Sequence, residues 1–169
     1  IITVLIPRGV REHFLWLCLG ERIRFVDVDD RRFWIGPAHE QMCRIKIGSF
    51  RETFALNLEH WSLPNYMQHW RRQLELLVSG APVVVLTTWA AAPDIECIRR
   101  GWVLFASGGD EVTVVERLFI CEPEADFSVC ADGSVQVEQK PALITEEGLE
   151  ISSWKTGISE ISAFLASSG

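Results

Sequence analysis

Residues 62–80 read SLPNYMQHWRRQLELLVSG, and residues 82–89 read PVVVLTTW. In the first stretch Ser62 is an N-cap candidate, Pro64 suits a first helical turn and Gly80 is a stop. Between them Tyr66, Met67, Trp70, Leu74, Leu77 and Val78 return at three- and four-residue steps, with Gln68, Arg71, Arg72 and Glu75 opposite. That pattern predicts an amphipathic helix over 63–79 whose aromatic stripe must lie against a sheet. The second stretch is β-branched without alternation, which suits a central strand buried on both faces. One helix delivered onto one strand in this way points to an α+β fold.

Working outward, the neighbouring segments supply more strands. Cys43 to Phe50 and Glu52 to Leu58 alternate apolar and polar side chains, as a sheet with one wet face requires. Phe33 to Pro37 reads as a strand end and turn at Gly36–Pro37, and Arg22 to Val28 as a half-exposed strand. Glu12 to Leu19 is too short an apolar run to separate helix from strand. On the other side, Ala90 to Arg100 reads as a loop or short helix. Gly101 to Ser107 and Val112 to Ile120 flank Gly108–Gly109–Asp110, a hairpin signal. Pro123 to Glu147 is polar, with a second turn expected at Ala131–Ser134. Glu150 to Lys155 reads as a last strand, and Ser159 caps a short terminal helix carrying Ile161, Phe164 and Leu165. The expected architecture is a mostly antiparallel sheet of about six strands, with the main helix across one face and the short C-terminal helix beside it. No repeat or linker divides the chain, so residues 1–169 are expected to form a single domain.

Charge is distributed unevenly. The net value is -7, but residues 1–72 hold 11 Lys/Arg against 8 Asp/Glu, whereas residues 73–169 hold 5 against 15. Between 110 and 150 lie Asp110, Glu111, Glu116, Glu122, Glu124, Asp126, Asp132, Glu138, Glu146, Glu147 and Glu150, opposed by Arg117 and Lys140 alone. A field of that sign repels phosphate and attracts a basic protein. Nucleic acid is therefore a poor expected partner for this half. Acidic loops that merely keep the chain soluble are the plainer explanation of the same residues.

Five widely spaced cysteines, Cys18, Cys43, Cys97, Cys121 and Cys130, form no Cys-x-x-Cys pair. Most sit in apolar stretches, a usage that suits a reducing, cytoplasmic setting. The longest apolar run, Ala81 to Ala92, is too short for a bilayer, so no membrane association is expected. Nor is a signal peptide visible, because Ile1 to Ile6 ends at Pro7.

Chemistry-bearing clusters are sparse. His39–Glu40 with Cys43 approaches a zinc-peptidase spacing, but the fifth position is Cys43 where a second histidine is needed. A small hydrolase built on His39, Glu40 and Cys43 is the alternative reading, and a non-catalytic adaptor or chaperone is another. His60 and His69 flank tryptophans and read as packed or surface residues. Trp61, Trp70, Trp89, Trp102 and Trp154 read as core. No nucleophile elbow, phosphate loop or dinucleotide fingerprint is present. No catalytic residue, metal site or cofactor is expected.

One resemblance spans Ile47 to Leu165. Trp61-Ser-Leu-Pro-Asn-Tyr66-x-x-x-Trp70 runs into Leu74, Leu77 and Gly80. The strand Val84-Val-Leu-Thr-Thr88 follows, then Trp102-x-Leu-Phe105 and Gly109-Asp110-x-Val112-x-Val114. Ile151-Ser-Ser-Trp154 and Ile158-Ser-Glu-Ile161-x-x-Phe164-Leu165 close it. This arrangement resembles the CdiI-type immunity proteins of bacterial contact-dependent growth inhibition systems. The resemblance implies a cytosolic, non-catalytic protein that binds and blocks the C-terminal toxin domain of a delivered effector, commonly an RNase. A nuclease surface is basic, so the partner it implies is a cationic protein. The acidic residues expected to meet it are Asp110, Glu111, Glu116, Glu122, Glu124, Asp126 and Asp132.

Overall fold

The computed structural model describes residues 2–5, 31–39, 42–59, 61–90, 97–121, 141–145 and 147–167. The segments expected at Glu12–Leu19, Arg22–Val28 and Ala131–Ser134 lie outside the described residues. Among the described residues, eight strands and two helices follow in the order β1 (Ile2–Leu5), β2 (Phe33–His39), β3 (Met42–Ile47), β4 (Phe50–Ala55), α1 (Leu63–Val78), β5 (Val83–Ala90), β6 (Cys97–Ala106), β7 (Glu111–Cys121), β8 (Ser153–Gly157) and α2 (Ile158–Ser167). The class is α+β with antiparallel pairing throughout.

The strands form two sheets where one was expected. β2, β3 and β4 make a three-stranded meander, and the other five form a sheet ordered β1-β7-β6-β5, with β8 also on β7. β7 is long enough to pair with two strands along one edge: Glu111–Val115 with β8, and Arg117–Ile120 with β1. The meander closes on itself because Gly48, at φ 60, turns β3 into β4 after Ile47. β3 therefore stops short of the expected Phe50. Its alternation is as read: Cys43, Ile45 and Ile47 are buried and their neighbours half-exposed. Gly36–Pro37 lies within β2 and not in a turn. Among the described residues β2 is an edge strand, with a register shift between Pro37 and His39, and the missing proline N–H costs no ladder bond to β3. β6 likewise begins at Cys97, inside the stretch expected to be a loop.

The sheets and helices enclose a common core. Ile35, Ile45 and Phe54 of the meander meet Tyr66, Trp70, Leu74 and Leu77 of α1 and Leu86, Trp102, Leu104 and Val114 of the larger sheet. Phe50 stacks on Trp154 with ring centroids 4.0 Å apart, and Trp102 meets Trp154 edge-on at 5.5 Å. The larger sheet buries its other face too, through Val85, Val103, Phe105, Val115 and Phe119. β5 is thus buried on both faces, as its composition requires. It is not central in the ladder, however: among the described residues it pairs with β6 alone.

Helix α1 accounts for that difference. Ser62 caps it through Asn65 N–H, and Pro64 sits in its first turn. Its buried face is Tyr66, His69, Trp70, Gln73, Leu74 and Leu77, while Met67 and Val78 of the expected stripe are exposed. The helix is rotated toward two polar residues because it lies along a strand edge, and an edge presents backbone polar groups.

An acidic surface as the candidate functional site

The hairpin between β6 and β7 builds the start of the acidic region. Gly108 takes φ 85 at its turn, and Ser107 donates to the Glu111 carbonyl through its hydroxyl (3.0 Å). The turn places Asp110 at the N-terminus of α2. Its carboxylate accepts from the Ser159 N–H (2.8 Å) and hydroxyl (3.0 Å), and its carbonyl accepts from Ile158 N–H (2.7 Å). Two otherwise orphaned helix N–H groups are satisfied, and a negative charge sits at the positive end of the helix. Gly157 makes room for this, since a Cβ there would lie 2.6 Å from an Asp110 carboxylate oxygen. Glu160 adds a local cap by accepting from Gly157 N–H (3.3 Å) and the Thr156 hydroxyl (2.7 Å). The cap expected of Ser159 is therefore supplied by Asp110 and Glu160.

The remaining expected residues fall into different surroundings. Glu111 is exposed and accepts from Lys155 Nζ at 2.6 Å. Glu116 is 4% exposed and is gripped by the Arg100 guanidinium, which also lies 3.5 Å from Glu52 of the meander. Its charge is spent inside the fold, tying β6 and β7 toward β4, and is not displayed at the surface. Glu122, Glu124, Asp126 and Asp132 lie outside the described residues. Glu147 and Glu150 are exposed. Hydrogen bonds to its own backbone N–H and to Thr145 hold the Glu147 carboxyl below the usual range, so it stays ionised. Arg100 is the structural partner that the sequence did not single out: its segment reads as a loop, whereas β6 sets it two residues before Trp102, the residue opposite Glu116.

The alternative catalytic group does not assemble. Cys43 is 1% exposed and points into the core, and burial pushes its thiol up to about 11. Little nucleophilic thiolate exists there at neutral pH. His39 is exposed at the end of β2, and Glu40 lies outside the described residues. No group of three potential metal ligands occurs among the described residues. A cavity of about 260 Å³ between α1 and α2 is lined by Ile35, Met67, Gln68, Trp70, Arg71, Phe164 and Leu165, so it offers apolar contact and no acid–base pair. Among the described residues no helix is long and apolar enough to cross a membrane.

Comparison with known proteins turns on the segment that these elements share. A family model, the CdiI N-terminal domain, matches residues 56–164, from the loop before α1 into α2. The chain belongs to the CdiI family. A CdiI-type immunity protein is thus built on the β5–β8 sheet, with α1 along it and α2 at its end. The fold is similar to that of a chain in a solved "CdiA-CT/CdiI toxin and immunity complex from Enterobacter cloacae". That likeness has a TM-score of 0.65 at 21% identity, and covers 80% of this chain and 97% of the other. No curated protein matches this chain. The family reading made from the arrangement between Ile47 and Leu165 therefore holds.

Proposed function

We propose that this CdiI-type chain binds the C-terminal toxin domain of a contact-dependent growth inhibition effector in the cytoplasm and blocks it without catalysis. The toxin is a cationic, RNase-type protein, and the chain needs no cofactor, nucleic acid or membrane to act. The carrying observation is the family match over residues 56–164, and the net acidity of residues 73–169 in the sequence agrees with it. An enzyme that holds RNA must present positive charge, and a negative surface meets it with complementary potential and speeds the encounter. The surface proposed to face the toxin comprises Asp110, Glu111, Glu122, Glu124, Asp126 and Asp132. Glu116 supports it from within by fixing Arg100.

A direct test pairs the chain with the toxin domain encoded beside its own gene. Binding at low ionic strength and loss of RNA cleavage are expected. Charge reversal at Glu122, Glu124 and Asp126 should slow association and flatten its dependence on salt. Unchanged association rates would remove those residues from the interface.

A further inference from the structure

Of the five cysteines, Cys18 and Cys130 lie outside the described residues, and Cys43 stands opposite Pro37 on one side and Phe54 on the other. Cys97 and Cys121 differ from it, because each is the register partner of the other. Cys97 opens β6 and Cys121 ends β7, so the two make the last rung of that ladder.

Their opposition is fixed from the far end of the strands. The turn at Gly108 sets the register, and ten consecutive pairs run from Ala106–Val112 to Cys97–Cys121 without a bulge. One rung inward, Ile98 faces Ile120, which also faces Ile2 of β1, so the pairing is held on both sides of β7 up to that point. The hydrogen-bond pattern then gives the spacing. Ser107 N–H donates to the Glu111 carbonyl at 3.2 Å, which makes that rung a hydrogen-bonded pair. Bonded and non-bonded pairs alternate along an antiparallel ladder, and counting back from Ser107 puts Cys97–Cys121 on a bonded pair as well. The Cα atoms of such a pair lie about 5.5 Å apart, and opposed residues share a face of the sheet. A disulfide requires a Cα separation of about 4.4–6.8 Å. The backbone already has the spacing that the bond needs.

We propose that Cys97 and Cys121 are a thiol–disulfide pair, a redox-sensitive staple across the open end of the β6–β7 ladder. The oxidant is a small-molecule disulfide such as oxidised glutathione. One cysteine thiolate attacks it, releasing one glutathione thiolate and leaving a mixed disulfide on the chain. The other cysteine thiolate displaces the second glutathione. One S–S bond breaks and one forms; the chain's two thiols are oxidised, and their protons pass to the two glutathione thiolates. A reducing compartment keeps such a pair as thiols, so the staple closes when the glutathione pool turns oxidising. Nothing in this step depends on toxin binding.

The test equilibrates the full chain in glutathione buffers from reducing to oxidising, followed by acid quenching, denaturation and thiol alkylation. As the buffer turns oxidising, two of the five thiols should be lost, and the peptides holding Cys97 and Cys121 should be recovered joined until dithiothreitol separates them. The oxidised chain should melt several degrees above the reduced one, because the cross-link restricts the unfolded chain. The Arg99 and Phe119 amides, on the next bonded pair inward, should exchange about tenfold more slowly. Cys97→Ser/Cys121→Ser should lose these oxidant-dependent changes while melting with the reduced parent, and Cys97→Ser alone should stop at a mixed disulfide on Cys121. If the serine variants do not fold, the peptide map of the parent decides. Five thiols at every buffer composition would overturn the proposal. So would linked peptides that join Cys97 or Cys121 to any other cysteine, or that join two chains. Each of these results leaves the toxin-binding reading where it stands.

Discussion

The Trp70 indole N–H donates to the Thr87 carbonyl at 2.7 Å, and the preceding residue, His69, sets its Nε2 3.0 Å from the Val85 carbonyl and 3.3 Å from Thr87 N–H. Register explains why these groups are available. Ala106 N–H bonds the Pro82 carbonyl, so alternate residues of β5 turn toward β6, and Val85 and Thr87 turn outward. Two side chains of α1 thus occupy the place of a further strand and close an edge open to unwanted pairing.

Trp70→Phe keeps an aromatic ring, though a smaller one, but takes from the buried Thr87 carbonyl its indole donor. A loss of about 1–3 kcal/mol is expected in urea unfolding. Trp70→Ala adds a cavity and should cost about 3–5 kcal/mol. A phenylalanine variant as stable as the parent would mean that the edge bond contributes nothing.

Arg100→Met takes the guanidinium away from the Glu116 carboxylate, which is 4% exposed. Because the guanidinium is itself partly exposed, the expected cost is about 1–3 kcal/mol rather than that of a fully buried pair. Arg100→Met/Glu116→Leu should recover most of it. An Arg100→Met chain that unfolds with the parent would show that the ion pair does not tie the strands.

Asp110→Ala removes the cap of α2 and should lower stability by about 0.5–2 kcal/mol. Asp110→Asn should lose less, since its amide oxygen still accepts from Ser159. Calorimetric melting separates the two. Equal melting of all three proteins would contradict a capping role.

Cys43 links stability to alkaline pH. Its native thiol is raised from 9.0 to about 11, so the unfolded chain gives up the proton first. The contribution is fully present below pH 9 and is lost as pH rises toward 11. Cys43→Val should flatten that part of the stability–pH curve. It should also leave the number of rapidly labelled native thiols unchanged while lowering the denatured count by one.

Much of this fold is readable without coordinates. Ser62, Pro64 and the 66–77 spacing mark α1, and Gly108–Gly109–Asp110 marks the β6–β7 hairpin, because caps, turns and periodicity are local properties. The division into two sheets is not local. Nothing in the alternation of Cys43–Ile47 says which strands it will pair with. The exposure of Met67 and burial of His69 depend on α1 meeting an edge, which periodicity cannot reveal. The acidic region was legible as a sum of charges, but not in its parts. Asp110 serves a helix 49 residues away, and Glu116 is buried against Arg100. Opposite charges on neighbouring strands look alike in sequence whether they face solvent or one another.

The central claim is that this chain captures a cationic toxin domain with its acidic half. Titrating the purified chain into the toxin domain encoded beside its gene, at low ionic strength and with RNA cleavage as readout, tests it most directly. Stoichiometric loss of cleavage that weakens as salt is raised is the predicted result. Full cleavage with no complex formed would contradict it.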